Sequence, residues 1–355
     1  KEPTPLVIYI HGGGFTSVSK EKPYNSARKE IRDILSSGAS YATINYRLLD
    51  EVDHDGVIKP MNDSKRCLQF LRYHHEQLNV DPSRIALYGG SAGAGTCLWI
   101  AFNNDMADPN ADDPILREST RVNVIGAKNT QATYDVYRFE TDVFVSLGLT
   151  WEQMTEMYAE PGSEQGLLSF YGVDSLQDLS TPEITEYRAR VDMLALMSPD
   201  DPPFWVRNNQ GNAGIPVDTD EMFHHPLHAV TLKERANEVG LECQAYIPAL
   251  EIADPAGDDV VKFMLDRIEG KMPNGQYTQM IYEGITREYA VIEPSLDPNP
   301  DGYPLVIGLH GGGSEGYEFI AFAFLARKAN QEKFIIAAPN ALRHSQYPLV
   351  TRWNA

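Results

Sequence analysis

The sequence predicts an α/β fold, a mostly parallel sheet with helices on both faces, and three observations predict it. Short, continuous apolar runs such as Leu6-Val7-Ile8-Tyr9-Ile10 read as strands buried on both sides. Helical stretches alternate with them, and repeated strand–helix alternation implies a parallel sheet. Two glycine-rich turns, His11-Gly12-Gly13-Gly14-Phe15 and Gly89-Gly90-Ser91-Ala92-Gly93, each follow such a strand.

Taken in order, Leu6–Ile10 is the first strand and Ala27–Ser37 a helix with Glu30 and Arg32 on its outer face. Tyr41–Tyr46 is the next strand, Asp63–Leu78 a helix, and Ile85–Tyr88 a strand that runs into Gly89. Thr96–Ala101 reads as the first turns of the helix beyond it, and Val122–Ala127 as a further strand. Residues 136–200 break the rhythm. Their amphipathic stretches (Phe144-Val145, Leu147, Met154, Met157-Tyr158, Leu167-Leu168) suit a helical cap over a pocket, or ordinary core packing. Alternation resumes with the strand Phe204–Val206, the helix Pro226–Val239, the strand Cys243–Ile247 and the helix Asp258–Ile268.

Residues 269–276, with Gly270, Pro273, Asn274 and Gly275, read as a linker of turn formers. Beyond it the opening pattern returns: a hairpin of Thr278–Tyr282 and Arg287–Ile292, a strand Leu305–Leu309 ending in His310-Gly311-Gly312-Gly313, a helix Glu318–Ala329 and a strand Phe334–Ala338. The expected organisation is a domain over 1–268 and a partial second module over 277–355. The second module stops before any counterpart of Ser91, and Ser314 has no strand-to-helix turn around it.

With 42% hydrophobic and 23% charged residues the composition is that of a globular protein. A net charge of −20 argues against nucleic acid or an anionic membrane as partner, because both select basic surfaces. No apolar run approaches the roughly 18 residues of a membrane span, so a soluble protein is expected. No signal peptide is visible, but the chain begins abruptly at Lys1, so the compartment is left open, with the cytoplasm as the default expectation. Cys67, Cys97 and Cys243 lack metal spacing and read as free buried thiols. Asp105, Asp108, Asp112 and Asp113 read as a solvated loop, with calcium as the remote alternative, and Asp200-Asp201-Pro202-Pro203 as a turn.

G-x-S-x-G between a strand and a helix is a nucleophile elbow, a strained turn that lifts the Ser91 hydroxyl clear of the backbone. Serine needs a base to take its proton and donors to hold an oxyanion. The backbone N–H groups of Gly13, Gly14 and Ala92 are the candidate donors. The alternative is an elbow retained in a protein that has lost catalysis.

On His11-Gly12-Gly13-Gly14-Phe15, Ile44-Asn45-Tyr46-Arg47-Leu48 and Gly89-Gly90-Ser91-Ala92-Gly93, residues 3–268 resemble the α/β-hydrolase carboxylesterases of the hormone-sensitive-lipase-like group. Residues 277–355 look like the front half of a polyhydroxybutyrate-depolymerase or feruloyl-esterase-like hydrolase, on Pro304–Gly313 and Ala338-Pro339-Asn340. The resemblance implies an α/β-hydrolase fold and hydrolysis of a small-molecule ester by serine, histidine and an acid, with no cofactor. Such folds carry two more strands before the first glycine-loop strand, and only five residues precede it here, so the opening reads as truncated. The expected activity is that of a serine carboxylesterase on short-chain or aryl esters. The alternatives are hydrolysis of a carbon–carbon or amide bond on the same scaffold, or a non-catalytic binding protein. Whether the chain forms a homo-oligomer is left open.

The second half departs from that family. Its spacing puts the acid near Asn212 and the histidine near Glu251, and neither is the expected residue type. The base must then come from His224, His225 and His228, with His225 preferred because it precedes Pro226, where an extended backbone can face the edge of the sheet. Asp220 is the preferred acid, with Asp218, Asp135 and Glu251 as alternatives. The three histidines could instead cap the helix or pack locally. A metal site at His225 and His228 lacks a carboxylate of diagnostic spacing, so no metal is expected.

Overall fold

The computed structural model describes residues 3–50, 54–158, 163–268, 278–282, 285–292, 302–309, 329, 333–343 and 351–352. They fall into two compact units, Lys1–Met264 and Leu265–Ala355.

The first unit is built on seven strands: β1 (Thr4–Ile10), β2 (Ser40–Ile44), β3 (Val80–Gly90), β4 (Val124–Lys128), β5 (Phe204–Arg207), β6 (Cys243–Ile247) and β7 (Ile252–Ala253). Their order across the sheet is β2-β1-β3-β4-β5-β6-β7, parallel throughout except for β7, a two-residue edge strand antiparallel to β6. Leu6, Val7, Ile8 and Ile10 of β1 and Ile85–Tyr88 of β3 are buried, which is why these strands are apolar without alternation.

The helices that place the site are α1 (Ala92–Phe102), α2 (Thr219–Phe223) and α3 (Pro226–Val239). Every residue of α1 is buried, and apart from Thr96 it is apolar on every side, as a helix enclosed within the first unit must be. Helix α3 starts on Pro226 and ends at Gly240, whose φ of 79° suits glycine and lets its N–H reach the carbonyls of Ala236 and Asn237. Between β4 and β5, residues 136–200 form short helices that include Trp151–Met157, Ser163–Tyr171 and Pro182–Arg190. Phe144, Met154, Tyr158, Leu167 and Leu168 are buried there, whereas Val145 is exposed.

In the second unit β8 (Thr278–Tyr282) and β9 (Ile285–Ile292) pair antiparallel, and β9 pairs antiparallel with β11 (Ile335–Pro339), which runs parallel to β10 (Leu305–Ile307). The hairpin therefore joins the sheet of its own unit, with the order β10-β11-β9-β8. Leu305 faces Ile335 in one unit as Leu6 faces Ser40 in the other. The linker expected at 269–276, the second glycine triplet at 311–313 with His310, Ser314, His344 and all but Ala329 of the expected helix lie outside the described residues.

No helix among the described residues is long and apolar enough to cross a membrane. All three cysteines are unpaired, and Cys97 is buried. The acidic loop is held by its own carboxylates. Asp105 accepts the N–H of Ala107 and Thr120, Asp108 that of Asn110, and Asp113 that of Ile115. Asp201 likewise accepts the Ser198 N–H in the turn before β5.

Candidate active site

The C-terminal ends of β1, β3 and β5 meet at one edge of the sheet, where loops of a parallel α/β structure converge. Ser91 stands at the end of β3 with φ 51° and ψ −124°, a conformation that costs a non-glycine residue about 1–3 kcal/mol. Its N–H donates to the Lys128 carbonyl at 2.9 Å, which anchors the bend to β4. The flanking glycines have no alternative. A Cβ on Gly93 would lie 2.1 Å from the Ile10 carbonyl oxygen, and one on Gly89 would lie 2.6 Å from the Gly93 carbonyl carbon.

The glycine loop after β1 lies directly against this bend. A Cβ on Gly12 would sit 2.5 Å from the Gly90 oxygen and 3.2 Å from Ser91 Cβ. Gly13 and Gly14 have φ of 104° and 59°. Tyr46 supports the loop from below. Its hydroxyl donates to the carbonyls of His11 (2.9 Å) and Gly12 (3.2 Å), and its ring stacks on His11 at 4.3 Å. The Asn45-Tyr46-Arg47 motif is completed by the Arg47 fork on Asp63, with contacts of 2.8 and 2.7 Å.

Ser91 Oγ lies 2.9 Å from Nε2 of His224. His224 Nδ1 donates to Asp220 Oδ1 at 2.9 Å and faces the Asp220 carbonyl at 3.1 Å. Both residues come from α2 and its C-terminal flank, one helical turn apart. That spacing puts positions i and i+4 on the same face. Asp218, an alternative acid, instead caps α2, with its carboxylate accepting the Glu221 N–H at 2.8 Å.

His225, the preferred base from sequence, is not the residue beside Ser91, and the reason is the geometry that recommended it. Its backbone before Pro226 is extended (φ −62°, ψ 141°), and such a residue is the N-cap of the helix that follows. Its Nδ1 accepts the Leu227 N–H at 3.2 Å and its Nε2 donates to the Gly214 carbonyl at 2.8 Å, so neither ring nitrogen is free. His228 is equally committed: Nδ1 accepts the Ala132 N–H at 3.1 Å and Nε2 donates to the Met222 carbonyl at 3.0 Å. These commitments also remove the pair as metal ligands. Among the described residues no group of three or more His, Cys, Asp and Glu is placed to hold a metal ion.

Asp135 is engaged with Arg188 at 2.6 Å in a nearly buried pair, and Arg188 stacks over Tyr137 at 4.2 Å. Glu251 lies exposed in the turn between β6 and β7 with φ 55°. Asn212 donates to Glu221 at 2.8 Å. The Asp-x-x-x-His spacing of residues 220 and 224 is the sequence signal that identifies the pair beside Ser91.

Burial lowers the pKa of His228 to about 3 and shifts that of His225 in the same direction. An unfolded histidine titrates near 6.5, so between about pH 6.5 and 3 the unfolded chain holds a proton that the fold excludes at His228. Its contribution to stability is complete above about pH 6.5 and declines as the pH falls through that window. Thermal melts of the wild type should therefore show Tm falling from pH 7 to pH 5. His228→Asn should show a shallower fall, and an equal slope in the two proteins would contradict the assignment.

A cavity of about 600 Å³ joins these parts. Gly13, Gly14, Ser91, Ala92 and His224 line it together with Tyr134, Phe139, Phe170 and Phe223. Phe139, Leu167 and Phe170 come from the segment between β4 and β5, which thus forms one wall. Among the described residues the N–H groups of Gly13, Gly14 and Ala92 have no protein acceptor. The first N–H groups of a helix such as α1 are left unpaired by the helix itself.

Residues 1–146 match the BD-FAE family model. The chain is 29% identical over 106 residues to esterase LipI of Mycobacterium tuberculosis, covering 30% of this chain and 31% of that protein. It is 27% identical over 99 residues to the chlorogenic acid esterase of Aspergillus niger, covering 27% of this chain and 19% of that protein. The chain spans about a third or less of the length of the curated relatives it matches. Among solved structures, a truncated carbohydrate esterase from gut microbiota superposes with a TM-score of 0.51 at 14% identity, covering 76% of this chain and 87% of that one. With the parallel sheet, the bend at Ser91 and the glycine loop beside it, these likenesses show that the first unit has the α/β-hydrolase fold, and its first 146 residues are similar to the BD-FAE family.

Proposed function

We propose that the first unit is a serine carboxylesterase acting through an acyl-enzyme. The observation that carries this reading is the chain of contacts Ser91 Oγ to His224 Nε2 to Asp220, opening on the cavity that also holds Gly13, Gly14 and Ala92. Ser91 Oγ attacks the ester carbonyl carbon while His224 Nε2 takes its proton. The N–H groups of Gly13, Gly14 and Ala92 stabilise the oxyanion. The tetrahedral intermediate collapses, the alkoxy–carbon bond breaks, and His224 returns the proton to the departing alcohol. Water, deprotonated by the same histidine, then releases the carboxylic acid and restores Ser91. Turnover of p-nitrophenyl acetate tests this directly. Ser91→Ala should abolish it, and undiminished turnover in that variant would refute the assignment.

The aromatic wall of Tyr134, Phe139, Phe170 and Phe223 and the size of the cavity favour short acyl chains or aryl esters. Accordingly kcat/KM should be highest for p-nitrophenyl acetate and butyrate and drop steeply for decanoate. A preference for the long chain would contradict this pocket.

Asp220 acts under an unusual condition, since its side chain is 78% exposed. Water screens an exposed carboxylate, and the Asp220 backbone carbonyl also holds the His224 tautomer. Asp220→Asn should therefore lower kcat by only about 10–100-fold, well short of the roughly 10⁴-fold loss seen when a buried triad acid is removed. Steady-state kinetics of that variant decides between the two.

The region 277–355 is inferred to be the front part of a second module of this kind, without a nucleophile of its own. Its support is the shared parallel register of β10–β11 and β1–β2. A fluorophosphonate should accordingly modify one site per chain. A second adduct within 277–355 would overturn that inference.

A further inference from the structure

His224 sits at the end of a five-residue helix, and its acid partner faces solvent. Neither feature fixes an imidazole to within hydrogen-bond reach of Ser91. A short helix frays easily, and an exposed carboxylate restrains little. The rigid element nearest the base is the sheet. Gln131, in the loop after β4, donates to the Phe223 carbonyl at 2.8 Å, and Asn208, after β5, reaches the carbonyl of the base itself.

Asn208 follows β5 directly. Its backbone N–H donates to the Tyr246 carbonyl on β6 at 3.1 Å, so its main chain is held in the sheet. Asn208 is fully buried. Its Oδ1 accepts the Gln210 N–H at 2.9 Å, which sets the orientation of the amide. Its Nδ2 then donates to two successive carbonyls, His224 at 2.7 Å and His225 at 3.2 Å. Those carbonyls lie in the two-residue joint between α2 and α3, where Pro226 has no N–H to contribute. The site asks for one acceptor and two donors on one short planar group, and among side chains of this size only asparagine supplies them.

We propose that Asn208 is a positioning residue for the base, locking the His224 main chain to the end of β5 so that Nε2 stays on Ser91 Oγ. The proposal rests on the esterase reading of the site. Asn208→Asp tests it, because the substitution keeps the shape, removes both donors and, when ionised, sets a carboxylate against two carbonyl oxygens. At a temperature well below its Tm, Asn208→Asp should lose about 10–100-fold in kcat on p-nitrophenyl acetate, as expected for a misplaced catalytic group. Its KM should stay within threefold of wild type, and its fluorophosphonate labelling rate should fall by the same factor as kcat.

Asp201→Asn serves as the comparison. It disturbs the buried carboxylate that pairs with Arg121 at 3.1 Å before β5, far along the chain from the cavity lining, and should lower Tm while leaving kcat unchanged. Asn208→Ser, whose hydroxyl can donate only once, should fall between Asn208→Asp and wild type.

The proposal is overturned if Asn208→Asp keeps kcat within threefold of wild type, if KM rises in place of the fall in kcat, or if Asp201→Asn loses kcat equally at matched Tm. It is also overturned if neither Asn208 variant folds, because Asn208 would then hold the fold rather than the base. Failure of the esterase reading itself looks different: the wild type would neither turn over esters nor label at Ser91.

Discussion

Replacing His224 by alanine should lower kcat on p-nitrophenyl acetate by about 10³–10⁴-fold, while His225→Ala keeps kcat within about threefold and loses stability instead. The magnitude for His224 is that of a general base whose removal leaves only binding and oxyanion stabilisation. The contrast with its neighbour follows from the ring contacts. His224 Nε2 faces Ser91 Oγ at 2.9 Å, whereas both nitrogens of His225 are spent on Leu227 N–H and the Gly214 carbonyl. Removing the His225 ring takes the side-chain cap from the first turn of α3 and the donor from the Gly214 carbonyl, which costs about 0.5–2 kcal/mol. Kinetics and thermal melts on the two variants separate these effects, and a large loss of kcat in His225→Ala alone would exchange the two roles.

The largest effect on stability is expected at Gly93. A Cβ there would lie 2.1 Å from the Ile10 oxygen and 2.6 Å from the His11 oxygen. β1 cannot retreat, because it is paired on one side with β2 and on the other with β3. Gly93→Ala should therefore destabilise the first unit by more than about 4 kcal/mol, the range reached when a core position is overpacked against fixed backbone. Gly148→Ala offers the comparison: φ is +62° but nothing lies within 4 Å, so its cost is only the roughly 1 kcal/mol of a left-handed residue. Equal melting temperatures for the two variants would show that the elbow and the glycine loop do not touch as described.

Much of this arrangement is legible in the order of the amino acids. β1 and the core of β3 are apolar because both faces are covered, and that alone places them inside a parallel sheet. The glycines at 12, 89 and 93 mark close backbone approaches, and each approach is present. What the sequence conceals is the distinction between two adjacent histidines. The argument from Pro226 correctly makes His225 extended. An extended residue ahead of a helix is also its N-cap, and here the ring turns back to cap. The deciding pattern is the helical spacing of Asp220 and His224, a weak signal in a helix of five residues. The edge strand β7 is hidden for a different reason. Two residues carry no periodicity, and its pairing with β6 depends on the turn through Glu251. Asn208 is hidden too, since nothing in Arg207-Asn208-Asn209-Gln210 distinguishes a buried asparagine from its exposed neighbour.

The central claim is that one hydroxyl, held at a strained bend beside the glycine loop, is activated by His224. The most direct measurement is peptide mapping of a fluorophosphonate adduct, with its rate of formation, in the wild type, His224→Ala and His225→Ala. A single adduct on Ser91 in the wild type and His225→Ala, lost or slowed by orders of magnitude in His224→Ala, is the predicted result. An adduct elsewhere, no adduct at all, or rapid labelling of Ser91 in His224→Ala would contradict it.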